Sequence, residues 1–237
     1  MSYQHLQLLC HRINLAIVDA GLVKLTWGNA SVVDRAQNAM AIKPSGVPYA
    51  VLSPEDIVVL AIDSGKVLHG TKNPSSDTPT HLHLFQQFPH IGGIVHTHSE
   101  SATAFSQALA DLPCLGTTHA DHFYGAVPCT RTMRPDEIAA DYELNTGKVI
   151  VETFKTRKID PDQVPGVLVA SHAPFAWGAT GDKALENAIV LEYVAKMQLQ
   201  TYQIRTTGGE AKPISQELLD KHFLRKHGPG AYYGQSK

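Results

Sequence analysis

The sequence predicts an α/β fold in which a mixed, mainly antiparallel sheet is flanked by helices. Helical segments occur between strands, but they lack the strict strand–helix–strand rhythm of a doubly wound parallel sheet. The 237 residues are 43% hydrophobic, which is enough to bury a sizeable core without disulfides. The sequence contains no internal repeat, no low-complexity tract and no linker between two domains. Residues 1–237 are therefore predicted to form a single domain.

The first half of the chain alternates helical periodicity with short apolar runs that end at Gly, Pro or Ser. Apolar residues recur every three or four positions in the amino-terminal segment, and Gly21 supplies its stop signal. In chain order the predicted elements are a helix over 6–20, strands over 22–33 broken at 28–29, strands over 40–43, 57–62 and 67–68, a helix over 80–88, a strand over 91–97 and a helix over 99–109. Ser99 is expected to cap the last of these helices.

The second half of the chain is predicted to be richer in helix. In chain order it contains short strands within 112–130, a helix over 136–157 interrupted at Gly147, a strand over 167–170, and helices over 183–200 and 216–227. A tail rich in Gly and Tyr follows.

Composition and charge exclude several classes of protein. The chain has 20 basic and 22 acidic residues, a net charge of −2, which does not favour nucleic acid or an anionic membrane as a partner. No apolar run approaches the ~20 residues that span a bilayer, and residues 1–19 do not resemble a signal peptide. Three widely spaced cysteines form neither a disulfide framework nor a thiolate zinc site. We therefore expect a cytoplasmic protein.

Four residues have the character of metal ligands. His96 and His98 follow the apolar run 91–95 and, being two positions apart, project from one face of the predicted strand. His172 also follows an apolar strand, and Asp77 lies in a polar loop ahead of a helix. Alone, Asp77 is equally well a helix cap and His172 a turn residue. Together, three imidazoles with or without a carboxylate match zinc ligation with room for a substrate.

Three short turns of small residues offer backbone N–H groups and hydroxyls that suit a phosphate. They are Gly28 with Asn29, Ser45 with Gly46, and Ser75 with Ser76. Lys43 adds a positive charge near the second turn. Such turns are first of all loop formers, and no P-loop or dinucleotide fingerprint accompanies them.

Two further residues carry groups that transfer protons. Asp121 lies in an irregular stretch, where it is either a proton-transfer carboxylate or a solvated loop acid. Tyr233 stands beside a second tyrosine in the tail, and a phenol brought to a site can exchange a proton with a sugar hydroxyl. His222, on the last predicted helix, is a candidate to line the cleft.

The motifs resemble, in order and in length, those of the class II aldolase and epimerase superfamily, and within it those of the sugar-phosphate epimerases. The matching segments are LTWGNAS (25–31), IKPSGV (42–47), GTKNPSSDTPTH (70–81), IGGIVHTHS (91–99), GTTHADHFYG (116–125), PCTR (128–131), NTGKVIVETF (145–154), PGVLVASHAPFAWG (165–178) and LRKHGPGAYYGQ (224–235). The resemblance implies a three-layer α/β/α fold with a central, mostly antiparallel sheet. It also implies a homotetramer whose active sites lie at subunit interfaces.

The same resemblance implies a role for each candidate residue. Zn²⁺, or Mn²⁺ or Co²⁺ in its place, is held by His96, His98 and His172, with Asp77 beside them. The substrate and its phosphate are bound by Gly28, Asn29, Lys43, Ser45, Gly46, Ser75 and Ser76. Asp121 is one acid–base group, and Tyr233, delivered from a neighbouring subunit, is its partner on the opposite face.

The implied reaction converts L-ribulose 5-phosphate to D-xylulose 5-phosphate by breaking and re-forming the C3–C4 bond, in arabinose or ascorbate-type breakdown. The alternatives are an aldolase that releases its aldehyde and, in another class, a non-catalytic scaffold relative. Aldolases of the superfamily typically carry Glu at the position of Asp77, which favours the epimerase. One departure is His122, where the resemblance leads us to expect Tyr beside Asp121.

Overall fold

The computed structural model describes residues 2–205, 211–228 and 230–233. The helices in these ranges are α1 (Gln4–Asp19), α2 (Thr78–Gln87), α3 (Glu100–Gln107), α4 (Thr117–Ala120), α5 (Pro135–Ala139), α6 (Tyr142–Arg157), α7 (Gly181–Ile204) and α8 (Gln216–His227). The strands are β1 (Gly28–Asp34), β2 (Ala39–Ile42), β3 (Val58–Ala61), β4 (Val67–His69), β5 (Gly93–Thr97), β6 (Gly166–Leu168) and β7 (Pro174–Gly178). Two 3-10 turns, Tyr49–Val51 and Pro54–Asp56, precede β3.

The strands form one sheet in the order β4-β3-β2-β1-β5-β7-β6, and each neighbouring pair is antiparallel. The predicted mainly antiparallel sheet is confirmed. β1 begins at Gly28, so the expected interruption of a strand at 28–29 is wrong. Because β5 lies between β1 and β7, His96 is paired with Asn29 on one side and with Phe175 on the other.

Helices cover both faces of the sheet, and the alternation of side chains along β7 separates the two faces. Trp177 packs against Phe88, which follows α2, and Phe154 of α6 at ring-centre distances of 5.4 and 5.2 Å. The neighbouring Ala176 lies with residues of α7 on the opposite face. There α7 packs on β5 and β7, and α1 packs on β1 and α7. The result is the expected arrangement of three layers, α/β/α.

Two glycines make room for the start of α7. Gly93 on β5 and Gly178 on β7 are directly paired in the register. A Cβ atom at Gly93 would lie 2.6 Å from the Cα atom of Gly181, and one at Gly178 would lie 2.8 Å from the backbone nitrogen of Ala184. Both distances are well below van der Waals contact. The missing side chains let the first turn of α7 rest directly on the sheet.

Two predictions in the middle of the chain are wrong. Gly147 does not interrupt a helix: the break falls at 140–141, between α5 and α6. Gly147 lies inside α6, where a Cβ atom would be 3.1 Å from that of His83 on α2, so its small size serves helix packing. Residues 112–130 contain α4 and isolated bridges where short strands were expected.

The start of α3 is capped by another helix. Ser99 precedes α3 as predicted, but its hydroxyl makes no capping hydrogen bond. The Glu192 carboxylate of α7 instead accepts the backbone N–H groups of Ser101 and Ala102, each at 2.9 Å. A carboxylate at the positive end of a helix satisfies otherwise unpaired donors. This contact ties α3, which directly follows His98, to α7.

The three cysteines are free, buried thiols, as their number and spacing predict. Burial raises the pKa of Cys114 and that of Cys129 to about 11, so both thiols stay protonated at neutral pH. Among the helices of the described ranges, none has the length and apolar character that crossing a membrane requires.

Candidate metal centre and active site

Three of the predicted ligands converge at one end of the sheet. His96 lies on β5, His98 follows it, and His172 lies in the turn ahead of β7. One ring nitrogen from each lies within 4.8 Å of the others, and the ring centres are 5.0 to 5.1 Å apart. Three imidazoles at these separations can bind one divalent cation.

The ring of His96 is oriented by its surroundings. Its Nδ1 lies 2.9 Å from the carbonyl oxygen of Pro174. A carbonyl only accepts hydrogen bonds, so Nδ1 carries the proton and Nε2 keeps its lone pair for a metal. The ring also stacks on Phe175 with 4.0 Å between ring centres. The strand pairing of β5 with β7 therefore holds this imidazole ready for ligation.

The protonation of the other histidines also fits a cation. Burial, followed by the neighbouring imidazoles of His96 and His98, lowers the pKa of His172 to about 4. Burial and then His96 lower the pKa of His98. The Nδ1 of His172 is buried and has no hydrogen-bond partner among the described residues. Neutral imidazoles with an unpaired buried nitrogen form a donor set that suits a divalent ion.

Asp77 lies beside this cluster, held by a side chain from β1. The Nδ2 of Asn29 donates to Oδ2 of Asp77 at 2.7 Å and to the hydroxyl of Ser75 at 3.1 Å. Burial acts to raise the pKa of Asp77, but His96, His81 and the hydrogen bond from Asn29 outweigh it and lower that pKa. The carboxylate is therefore ionised at neutral pH, next to the three histidines.

The histidines open into a cavity of about 450 Å³ that all of the predicted substrate-binding residues line. These are Gly28, Asn29, Lys43, Ser45, Gly46, Ser75 and Ser76. Two of the loops are tied together, because Ser45 N–H donates to the carbonyl of Asn73 and Ser75 N–H donates to that of Lys43, both at 3.0 Å. These two amides are thus not the free donors that the turn composition suggests. Hydroxyls and neighbouring amides remain for an anion.

Lys43 brings a buried positive charge to this cavity. The residue is only 2% exposed, and its ammonium donates to the carbonyl oxygen of Val47 at 2.7 Å. The ammonium also lies 4.7 Å from the ring centre of Tyr49. Burial lowers its pKa below the ordinary lysine value. A desolvated cation held in this way is a strong partner for an anionic group that enters the cavity.

Sequence reasoning missed five residues that line the cavity, namely Thr26, Trp27, Pro44, Tyr142 and Glu143. Tyr142 is the first residue of α6, and its ring centre lies 6.2 Å from that of His172. Burial, with a smaller contribution from Asp77, raises its pKa. The break at 140–141 brings the start of α6 to the cavity. Placing the helix break at 140–141 instead of at Gly147 would have indicated that Tyr142 begins a helix at the cavity.

Asp121 and Tyr233 do not line this cavity. They lie in a separate cluster on α8, where Arg225 contacts both Asp121 oxygens at 2.9 Å and lies 5.0 Å from the ring centre of Tyr233. Lys226 and His222 also contact Asp121, at 3.2 and 3.0 Å. Burial acts to raise the pKa of Asp121, but the hydrogen bonds from Arg225, His222 and Lys226 lower it overall. Tyr233 is 63% exposed.

The remaining notable histidines take other positions. His222, a candidate to line the cleft, contacts Asp121 and is not among the residues that line the cavity beside the three histidines. His81 is fully buried, with Nδ1 2.6 Å from the hydroxyl of Ser31. His122 is half-buried, 3.6 Å from the Glu186 carboxylate.

Comparisons with known proteins agree with this geometry. Residues 9–199 match the family described as Class II Aldolase and Adducin N-terminal domain. A curated relative from Salmonella paratyphi C (strain RKS4594), named L-ribulose-5-phosphate 4-epimerase UlaF, is 50% identical over 222 residues, or 94% of this chain and 95% of the relative.

Solved structures with other names share the fold. One described as L-fuculose 1-phosphate aldolase is 26% identical, with a TM-score of 0.77, covering 94% of this chain and 96% of that one. The L-fuculose-1-phosphate aldolase from Thermus thermophilus is 22% identical, with a TM-score of 0.65 over 86% of this chain and 98% of that one. On the family match and the 50% identity, this chain belongs to the class II aldolase and adducin N-terminal domain family.

Proposed function

We propose that this chain is a metal-dependent enzyme that epimerises L-ribulose 5-phosphate at C4 to give D-xylulose 5-phosphate. The observation that carries the proposal is the cavity in which the three histidines face the serine loops and the buried Lys43. Such a cavity has one end for a cation and one for a phosphate. The relative that is 50% identical is named for this activity.

The position of the reacting carbon favours cleavage over direct proton removal. C4 is not adjacent to the C2 carbonyl, so a carbanion at C4 has no nearby group to delocalise its charge. Taking the proton from the C4 hydroxyl and breaking C3–C4 instead gives an enediolate and glycolaldehyde phosphate. Rotation of the aldehyde and re-formation of the bond, with a proton returned to the C4 oxygen, inverts C4.

The residues of this chain divide that work. When bound, a divalent ion would supply Lewis-acid stabilisation of the negative charge that develops on the C2 oxygen as the C3–C4 bond breaks. His96, His98 and His172 hold that ion, with Asp77 completing its surroundings. The ammonium of Lys43 and the turns at 45–46 and 75–76 retain the phosphate, so the aldehyde fragment stays in the cavity while it rotates. Zn²⁺ is the ion that best suits three imidazoles, and Mn²⁺ or Co²⁺ are the substitutes.

Asp121 and Tyr233 both serve the cavity of a neighbouring subunit in a homotetramer, whereas the resemblance implied such delivery for Tyr233 alone. Both lie outside the cavity of their own chain, and their shared contact with Arg225 makes them one unit. A groove of about 740 Å³ runs from His98 and Trp27 along α3 and α7, and it leaves the metal cavity accessible from that side. Trp27 is 55% exposed there, which suits contact with a second copy.

Hybrid tetramers test this division between subunits. Mixing His96→Asn with Asp121→Asn protein should restore activity, because one kind of site then combines an intact metal cavity with an intact Asp121 and Tyr233. Mixing Asp121→Asn with Tyr233→Phe should restore no activity, because every subunit then supplies either a substituted Asp121 or a substituted Tyr233. The reverse pattern, with subunit exchange demonstrated by mass spectrometry, contradicts the shared site.

The compartment, pathway and domain organisation follow from the same proposal. A cytoplasmic location is supported by the three unpaired thiols. The substrate places the enzyme in arabinose or ascorbate-type breakdown. A single domain over residues 1–237 is supported by helices that pack on both faces of one continuous sheet.

The deciding experiment is conversion of L-ribulose 5-phosphate by the purified protein, with and without a chelator. Metal-dependent appearance of D-xylulose 5-phosphate, without release of free aldehyde, supports the epimerase. Release of dihydroxyacetone phosphate from a deoxyhexulose 1-phosphate favours the aldolase instead, the activity named for a solved structure that is 26% identical. Inertness of metal-loaded protein toward both substrates contradicts catalysis and leaves the scaffold alternative.

A further inference from the structure

The side chain and the backbone of Arg225 connect the two proposed proton-transfer groups. We propose that Arg225 is a positioning residue that holds the Asp121 carboxylate and the Tyr233 phenol as one acid–base unit. This inference rests on the proposed function, because it takes Asp121 and Tyr233 as the groups that exchange protons with substrate.

The contact with Asp121 sets the orientation of the carboxylate. One guanidinium nitrogen, Nη2, lies 2.9 Å from each carboxylate oxygen. Asp121 follows α4 directly and its side chain is only 15% exposed, so water has little access to these oxygens, which His222 and Lys226 also contact. A charged hydrogen bond in a half-buried position is stronger than one in water. The carboxylate is thereby fixed relative to α8.

The contact with Tyr233 sets the path of the tail. The guanidinium carbon lies 5.0 Å from the ring centre, within the range of an attractive cation–π contact. The carbonyl oxygen of Arg225 accepts the N–H groups of Tyr232 and Tyr233 at 3.0 and 3.1 Å. One residue therefore anchors the tail through its backbone and the phenol ring through its side chain.

Lys226 supports the same pair without replacing Arg225. Its ammonium lies 3.2 Å from Oδ2 of Asp121 and 4.5 Å from the ring centre of Tyr233. An ammonium is a single point charge, whereas the planar guanidinium contacts both carboxylate oxygens while lying over the ring. Lys226 adds positive charge, whereas Arg225 adds positive charge and also orients the carboxylate and the phenol ring.

The charge around Asp121 also determines its starting protonation state. The titratable or charged groups around Asp121 are His119 on α4, the adjacent His122, the tail residue Tyr233, and His222, Arg225, Lys226 and His227 on α8. Two permanent cations against one carboxylate keep Asp121 ionised at neutral pH, in agreement with its lowered pKa. Asp121 therefore enters the reaction as the proton acceptor.

Arg225→Gln tests this assignment. Compared with the natural chain, kcat for L-ribulose 5-phosphate should fall by ~10²-fold, since misplacement by ~1 Å has an effect of that size. KM and bound metal should stay within about two-fold, because the metal cavity is formed elsewhere. The acidic limb of the kcat–pH profile should move up by ~1 unit, because Asp121 loses an adjacent cation while staying partly buried.

The matched control is Arg157→Gln, since Arg157 also contacts both oxygens of a carboxylate, that of Asp111, away from the cavity. It should leave kcat and the acidic limb unchanged. If Arg225→Gln does not fold, Arg225→Lys replaces it, and a loss of at least ten-fold in kcat at constant metal content is expected, because the lysine side chain is shorter and has no planar group to lie over the Tyr233 ring.

The outcomes separate this inference from the proposed function. A natural chain without epimerase activity refutes the proposed function. A second outcome refutes the role of Arg225 alone. In it the natural chain is active and Asp121→Asn is inactive, but Arg225→Gln matches its control in kcat and in the acidic limb of the pH profile. A kcat loss in folded Arg225→Gln with an unmoved acidic limb also refutes it, as does a natural kcat in Arg225→Lys.

Discussion

Alanine in place of Gly93 tests how closely α7 fixes β5, the strand that carries His96 of the proposed metal site. The added Cβ atom would lie 2.6 Å from the Cα and 2.9 Å from the nitrogen of Gly181. Carbon atoms in contact are ~3.5–4.0 Å apart, so β5 and the start of α7 must separate by ~1 Å. Both contacts are backbone atoms, which cannot move aside as a flexible side chain would.

The expected cost is at the upper end of that for overpacking, ~3 kcal/mol of unfolding free energy. For a chain of this length, that corresponds to a melting temperature ~6–12 °C lower at fixed protein concentration. Displacing β5 also displaces His96, so kcat should fall by up to ~10²-fold. Thermal unfolding, metal content and epimerase turnover should be measured on the same preparations.

Gly116→Ala is the matched control. Gly116 has an extended backbone, and a Cβ atom there meets nothing within 4 Å. Its melting temperature should stay within ~2 °C of that of the natural chain, because a Gly→Ala change without a clash has a small effect. Equal stability of Gly93→Ala and Gly116→Ala would refute the argument that glycine is required for α7 to rest on the sheet.

Three further outcomes are expected. Lys43→Met keeps an unbranched side chain one atom shorter and removes its charge, so KM for the phosphorylated substrate should rise by ~10–100-fold with a smaller change in kcat, since a hydrogen bond to a charged group contributes ~1.5–3 kcal/mol. An unchanged KM in steady-state kinetics would remove Lys43 from phosphate binding. His119 has its pKa lowered to about 4 by burial. Between this value and the unfolded value near 6.5, the unfolded chain binds one more proton than the folded chain. The free energy of unfolding therefore decreases as the pH decreases, and at pH 5 this group accounts for a loss of ~2 kcal/mol. Urea unfolding at pH 7.5 and 5 should show a smaller pH effect in His119→Gln, and equal effects in both proteins would contradict the buried neutral histidine. Removing the metal by chelation should lower stability by ~2.7 kcal/mol relative to protein with the ion at 100 times its Kd, whereas the His172→Asn variant should show no such response in calorimetry.

Local patterns predicted most of the elements because they depend on neighbouring residues. The predicted last helix, 216–227, has the same bounds in the structure. The period-two placement of His96 and His98 needs only a strand, and one ring nitrogen from each does lie within 4.8 Å of the other. The predictions that failed, at Gly147 and Ser99, depend on contacts with other helices. His83 explains the glycine, and Glu192 replaces the serine cap.

The site was only partly predictable for the same reason. The metal and phosphate residues carried recognisable local chemistry, and the structure lines one cavity with all of them. Tyr142 carried no such signal, because it reaches the cavity through the position of a helix break. Asp121 and Tyr233 were singled out from their chemistry, but their shared contact with Arg225 links positions more than 100 residues apart and is invisible in the chain's local pattern.

By itself, the sequence determined the class of fold, the location of most helices and strands, and the chemical types at the site, because these follow from short-range periodicity and from side-chain chemistry. Only the tertiary structure decided that β5 lies between β1 and β7, so that Asn29, His96 and Phe175 stand side by side. It also decided that Asp121 and Tyr233 form a cluster apart from the cavity that the three histidines of the same chain line. Both outcomes depend on contacts between distant segments, whose free energy comes from packing the whole core and not from any local stretch of chain.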